Sequence, residues 1–174
     1  MLQGNVLQIT KYEMLDERKL MDIYAESNLL NTEWKCPEEL DKNLAVQNVE
    51  EGFLKFLRED FFNHDEATYW VLEKGESWVC ALRTCKIECG SYYLEALETI
   101  PEERKKGYAV ELIKSVIASL KQKGALHLYD CVNKKNTASL NTHKKCGFQI
   151  IAEDAYDYLS KTTNPRCYGL EYRF

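Results

Sequence analysis

The chain has 174 residues, of which 45% are hydrophobic and 29% charged, and it carries a net charge of −5. A folded protein of this size exposes about 8,800 Å² against roughly 29,000 Å² for the open chain, so about 70% of the surface can be buried in one core without metal or disulfide staples. The acidic balance argues against nonspecific binding to nucleic acid or an anionic membrane, and no apolar run approaches the roughly 20 residues that span a bilayer.

The start, Met1-Leu2-Gln3-Gly4-Asn5, lacks the basic residues and apolar run of a signal peptide, so a cytoplasmic location is expected. Asn5 to Tyr12 reads as a short strand carrying Val6, Leu7 and Ile9. Asp16 is placed to cap a helix through Leu20, Met21, Ile23 and Tyr24. Leu29 to Pro37 reads as irregular, with Pro37 placed to open another turn of helix. Asn48 to Phe62 reads as a helix whose Phe53, Leu54, Phe56, Leu57 and Phe61 form one core-facing stripe; Phe62 lies off the stripe and marks the end.

The period then changes. Thr68 to Leu72 and Trp78 to Leu82 form a hairpin around Lys74-Gly75-Glu76. After the turn at Cys89-Gly90-Ser91, Tyr92 to Ile100 adds a third strand of an antiparallel meander, which Pro101 ends. Ala109, Leu112, Ile113, Val116, Ile117 and Leu120 give a clean apolar helix face closed by Gly124. Leu126 to Val132 is the next strand, so strand, helix and strand make a right-handed βαβ unit with parallel strands. Asn136 to Cys146 reads as a helix stopped by Gly147; Phe148 to Ile151 and Arg166 to Phe174 close the chain as two strands around a Tyr- and Asp-rich loop. No repeat, linker or low-complexity tract divides the chain, which is expected to form a single domain over residues 1–174.

Seven cysteines is an odd number, and no C-x-x-C pair occurs. Cys85-x-x-x-Cys89 has no histidine near it, so no metal is expected and the thiols read as reduced and mostly buried.

The most informative segment is Arg104-Lys105-Lys106-Gly107-Tyr108-Ala109, which follows a strand and opens a helix. A helix start offers unpaired N–H groups and a positive dipole end, a ready anion site. Gly107 lets the backbone approach a ligand, and three basic side chains add charge. A pyrophosphate is the ligand this pattern suggests; a solvated basic helix start would look similar. Neither the Walker nor the Rossmann glycine pattern is present.

Arg104-x-x-Gly107-x-Ala109 resembles the R/Q-x-x-G-x-G/A signature of the GNAT family of N-acetyltransferases. Asn136-x-x-Ser139 followed by Lys145-x-Gly147-Phe148 is similar to that family's N-x-x-A/S…K-x-G-F segment on the next helix. The resemblance covers about residues 90 to 150. It implies an α+β (mixed α/β), three-layer fold whose mixed sheet is splayed at its centre and flanked by helices. It also implies acetyl-CoA as co-substrate in the gap. The pantetheine arm would pair with backbone near Leu97, Glu98 and Thr99, and the pyrophosphate would meet amides from Lys105 to Ala109, Tyr108 among them, beside Lys106. Asn136, with Ser139 and Lys145 on the same helix, would hold the pantetheine or phosphate end. Seven residues after Asn136 the family commonly has a Tyr that protonates the leaving thiolate. Here that position is His143, which could keep the role or serve in packing or phosphate contact.

The implied reaction is acetyl transfer to a primary amine by direct attack in a ternary complex. A lysine-like amine has a pKa of about 10.4, so deprotonating it near pH 7 costs about 4 to 5 kcal/mol. Glu95 and Glu98 are the candidate bases, and Glu95 is favoured because some family members carry a functional Glu at that place. Three apart, they face opposite ways unless a bulge intervenes. Cys131 reads as a buried thiol rather than a nucleophile; His64 and His127 have no partner spacing. Tyr156 and Tyr158 could line an acceptor pocket or cover the sheet edge. The family places that pocket in residues 25–50 and 152–166.

Residues 101–123 carry six Lys or Arg against three Glu, and residues 133–146 carry four Lys and no acid. The rest of the chain is correspondingly acidic, which suggests a small cationic amine as acceptor. Small-molecule and peptide amines both stay open, and a homodimer is one option for the assembly. A non-catalytic acyl-CoA-binding module of the same fold is the alternative reading.

Overall fold

The structure is a computed structural model that describes residues 4–174, and Met1 to Gln3, with that part of the leader reading, lie outside the described residues. Strand β1 (Asn5–Ile9) leads to helix α1 (Glu17–Lys35), whose start is capped by Asp16 accepting from the Lys19 N–H at 3.0 Å. Helix α1 runs straight through the stretch read as irregular, which corrects that reading. Leu29, Leu30 and Trp34 are exposed there, so the segment shows no inward period although it is helical. The helix stops at Cys36, the residue before Pro37, where α geometry is disfavoured. Helix α2 (Lys42–Glu59) begins earlier than its apolar stripe suggested, because Asp41 accepts from the Asn43 and Leu44 N–H groups. Phe61 and Phe62 fall beyond it, in a single 3-10 turn.

Strands β2 (Thr68–Lys74), β3 (Ser77–Glu88) and β4 (Ser91–Thr99) form the expected meander, with β3 longer than read. Helix α3 (Tyr108–Gln122) crosses to β5 (His127–Asn133), which lies parallel to β4. Helix α4 (Thr137–Lys145) and strand β6 (Gln149–Ala152) follow. The loop expected next contains a small hairpin of its own, β7 (Ala155–Asp157) with β8 (Thr162–Asn164). Strand β9 (Cys167–Arg173) inserts antiparallel between β5 and β6, giving a seven-stranded sheet in the order β1-β2-β3-β4-β5-β9-β6.

Helices cover both faces of this mixed sheet, so the fold is three-layered. Strand β2 shows why: Thr68 through Leu72 are all buried, alternate residues facing opposite helices. Trp70 and Leu72 join Leu112, Ile113, Val116 and Leu120 of α3. Tyr69 and Val71 join Leu20 and Ile23 of α1 and Leu57 of α2.

Two departures from regular pairing shape the centre. Strand β4 pairs with β5 only from Ser91 to Leu94, opposite His127 to Asp130, and then the strands part. On its other edge β4 carries a bulge: Ala81 pairs with Glu98 but Arg83 pairs with Glu95, so β4 holds one extra residue there. Within the bulge Ala96 has φ = +57°.

Leu112 is wholly buried in the α3 face. Leu112→Ala should lower unfolding free energy by about 2–5 kcal/mol, read from urea melts; a loss below 1 kcal/mol would contradict this packing.

Candidate active site

The parting of β4 from β5 opens a cleft of about 700 Å³ between β4, the start of α3 and the start of α4. Leu97, Glu98 and Thr99 line one wall, with Arg104, Lys105, Gly107, Tyr108 and Ala109 at the floor. Asn136, Ser139 and Lys145 line the opposite wall. Lys106 alone of the expected cofactor residues stays outside, paired with Glu103 at 3.1 Å. Glu26, Val110, Asn141 and Thr142 join the lining without having been singled out in the sequence.

The backbone of β4 is ready for an extended partner. The Ile100 N–H donates to Val79 O on β3 at 3.0 Å. By alternation the N–H and C=O groups of Thr99 and Leu97 turn the other way, into the gap. The Thr99 carbonyl confirms that direction by accepting from Arg104 Nε at 3.0 Å.

The loop before α3 forms a nest of amides. Lys105 has φ = +62° and Gly107 φ = +92°, and Gly107 caps α3 with no side chain. The first-turn N–H groups of α3 are thus open to an anion. A Cβ on Gly107 would meet no atom within 4 Å, so backbone conformation, not crowding, requires the glycine. Across the cleft, Asn136 Oδ1 caps α4 by accepting from the Ser139 N–H at 3.0 Å. These features fit a pantetheine pyrophosphate: strand amides for the arm, a nest for the phosphates, and Lys105 and Lys145 beside it.

Arg104 lines the cleft and is also tied to two acids. Its guanidinium pairs with Glu26 of α1 and, at 2.9 Å, with Glu98. Burial raises the Glu98 carboxyl above the ordinary glutamate range, and Arg104 only partly offsets this.

A second cavity of about 360 Å³ lies between α1, α2 and the bulge. Tyr24, Ser27, Asn28, Asn31 and Lys35 come from α1, Gly52, Phe53 and Phe56 from α2, and Arg83 from β3. Leu97 and Glu98 line both cavities, so the two meet at the bulge. Of residues 25–50 this cavity takes Ser27, Asn28, Asn31 and Lys35, none of residues 152–166 lines it, and its charged lining is Lys35, Arg83 and Glu98. Tyr156 and Tyr158 pack on each other at 5.1 Å, and Tyr158 stacks on Tyr129 of β5 at 5.0 Å, covering the sheet.

The structure places two candidate catalytic residues, Glu95 and His143, away from both cavities. Glu95 lines neither cavity; it holds Arg83 Nε at 2.5 Å. Arg83 sits among the Phe53, Phe56 and Phe61 rings, where a lone cation would be costly. The bulge does turn Glu95 and Glu98 to one face, since they oppose Arg83 and Ala81, two apart on β3. His143 is fully buried and lines neither cavity. Its Nδ1 donates to the Ser139 carbonyl at 2.8 Å, and its Nε2 lies 2.7 Å from Asp130 Oδ2, off the line of a linear hydrogen bond. Burial opposes its charge, but Asp130 and the Ser139 carbonyl outweigh burial and raise its pKa above the ordinary value. Its geometry is that of a tie between α4 and β5, not of an acid facing the cleft. Cys131, read as buried, is only half-buried, and its thiol is pushed up to about 11, chiefly by burial. His127 and His64 pair with Glu171 and Asp60, on residues that line neither cavity. Among the described residues no three His, Cys, Asp or Glu gather as metal ligands, and no helix is long and apolar enough to cross a membrane.

The sequence model of the Acetyltransferase (GNAT) family matches residues 27–148, and the chain belongs to that family of acyltransferases. The fold agrees with the PaiA N-acetyltransferase of Thermoplasma acidophilum in complex with coenzyme A, with a TM-score of 0.66 and 16% identity over 98% of this chain and 99% of that one. An IAA acetyltransferase from Bacillus cereus gives 0.64 and 14%, covering 99% and 100%. The ribosomal-protein-S18-alanine N-acetyltransferase of Escherichia coli gives 0.62 and 12%, covering 98% and 94%. No curated protein sequence matches the chain.

Gly107→Ala puts a side chain at a left-handed position, a cost of about 1–2 kcal/mol. CoA affinity by calorimetry should fall roughly 5- to 30-fold; a change under twofold would show that the nest does not need the glycine. The raised His143 pKa means its pairing stabilises the fold fully below about pH 6.5 and progressively less as pH rises through the raised value. Asp130→Asn should therefore cost roughly 3–5 kcal/mol at pH 5.5 and distinctly less at pH 9, in denaturant melts; equal losses at both pH values would refute a charged pair.

Proposed function

We propose that the chain is an acetyl-CoA-dependent N-acetyltransferase that acetylates a primary amine by direct attack in a ternary complex. The observation that carries this reading is the meeting of two cavities at the β4 bulge, with Leu97 and Glu98 lining both. One cavity has the amide geometry for a pantetheine pyrophosphate; the other is small, polar on one wall and aromatic on the other. When bound, acetyl-CoA would supply an activated acyl carbonyl and a thiolate leaving group, whose charge is balanced by the proton the amine nitrogen loses as the amide forms.

The chain's own residues do the rest. Glu98, at the junction, accepts the ammonium proton, directly or through a water. Its raised pKa suits the task, since a base nearer neutrality is a stronger proton acceptor at pH 7. The gap-facing N–H groups of Leu97 and Thr99 fix the extended arm and present donors toward the reacting carbonyl. Open amides at the start of α3 hold the phosphates. Arg104 tethers the base and α1 in one arrangement.

The buried position of His143 favours keeping one second reading, a CoA-binding module without turnover. Thiol release from acetyl-CoA over a broad amine panel, followed by mass spectrometry, separates the two: tight CoA binding with no release on any acceptor would favour the module.

Glu98→Gln should lower kcat by about 10²- to 10⁴-fold with little change in CoA affinity. The acidic limb of kcat/KM should lie above the ordinary glutamate value of about 4.3. Arg104→Gln, which removes the group that lowers the Glu98 pKa, should move that limb to higher pH. A Glu98→Gln enzyme with native kcat would exclude Glu98 as the base.

A further inference from the structure

The second cavity has a chemical polarity of its own, and its role as an acceptor site rests on the proposed transferase activity. Its α1 wall is one strip of helix face, with Asn28, Asn31 and Lys35 at successive spacings of three and four. Asn28 is 3% exposed, yet among the described residues its side chain has a single partner, the Met21 sulfur at 3.6 Å. A thioether is a weak acceptor, so this buried amide on the cavity wall is held loosely enough to be redirected to a ligand.

The charges along that wall are ordered. At the bulge end stands Glu98, where Tyr24 of α1 donates to the Ala96 carbonyl at 2.5 Å and Arg104 links Glu26 to Glu98. At the far end stands Lys35. Ser27 to Lys35 is eight residues, about 12 Å along a helix. Arg83 lies on the cavity wall already neutralised by Glu95, so it adds no net charge. The α2 wall offers Phe53 and Phe56, apolar and flat.

We propose that the acceptor is an amine that carries its own anion. Its ammonium group sits at Glu98, an apolar or peptide-like spacer lies against Phe53 and Phe56 with polar atoms toward Asn28 and Asn31, and a carboxylate or equivalent anion meets Lys35 at the end of an α1 strip about 12 Å long. An extended chain rises about 3.3–3.6 Å per residue, so a short peptide with both ends free, or a long ω-amino acid, spans the distance. A diamine of the same length would set its second ammonium against Lys35. The acidic surplus of the chain, which suggested a cationic acceptor, is not gathered on this wall.

The test compares an ω-amino octanoic acid, its carboxamide and the diamine of equal length. Acetylation is measured as kcat/KM, and the thermal shift that each compound gives the CoA-loaded protein is measured independently of turnover. The amino acid should be preferred over the diamine by about five- to tenfold in both readouts. Lys35→Glu should abolish or invert that preference and Lys35→Arg should keep it. Lys35 is exposed at the end of a helix, so both variants are expected to melt as the parent does. A native protein that prefers the diamine, or a ratio unchanged in Lys35→Glu, overturns the proposal. Charge preference in the thermal shifts without acetylation of any compound would uphold recognition of an anion-bearing amine at Lys35 while counting against the transferase reading. Acetylation without charge preference would do the reverse.

Discussion

Strand β4 is hydrogen-bonded to β5 for only four residues, and nearly every functional feature follows from that limit. A central strand with an unpaired edge leaves N–H and C=O groups without partners, which costs free energy wherever water is excluded. The fold keeps this edge at the wall of an open cleft, where a ligand backbone can complete the ladder. The bulge at Ala96 works with the same strand from its other edge. It adds one residue, turns Glu98 to the face shared with Glu95, and brings Glu98 to the seam between the two cavities.

The electrostatics divide along that seam. On one side, α3 starts with a left-handed glycine in place of a side-chain cap, and a second positive φ at Lys105 curls the preceding amides inward. On the other side, the charges near the bulge are paired, Arg83 with Glu95 and Arg104 with both Glu26 and Glu98, which leaves one negative charge over. Matching allows charged groups to stand in a half-buried place without the penalty of isolated ions. It also leaves Glu98, shared by both cavities, as the carboxylate whose proton affinity burial sets.

The core of the fold was legible because it depends on periodicity. The α3 face and the βαβ crossover follow from apolar spacing, and the motif around Gly107 marks the helix start it sits on. Elements held by other means were not legible. The end of α1 is helical although Leu29, Leu30 and Trp34 face outward, and the first turns of α2 depend on the Asp41 cap. The β7–β8 hairpin uses short polar strands that bury little. In the site, the cleft residues were readable because one loop and two helix starts supply most of them. The second cavity was not, because it is assembled from two helices and two strands with no shared spacing. The roles of Glu95 and His143 turned on partners distant in sequence, Arg83 and Asp130, which no local pattern reveals.

The placement of Arg104 makes the two halves of the site answer to each other. One guanidinium joins the phosphate loop to α1 and to Glu98. Any shift of that guanidinium away from Glu98 would raise the carboxyl's proton affinity, because the attraction that lowers it would weaken. By the same linkage, protonating Glu98 would weaken its hold on Arg104. One side chain thus ties the position of the loop before α3 to the charge state of the carboxylate at the bulge.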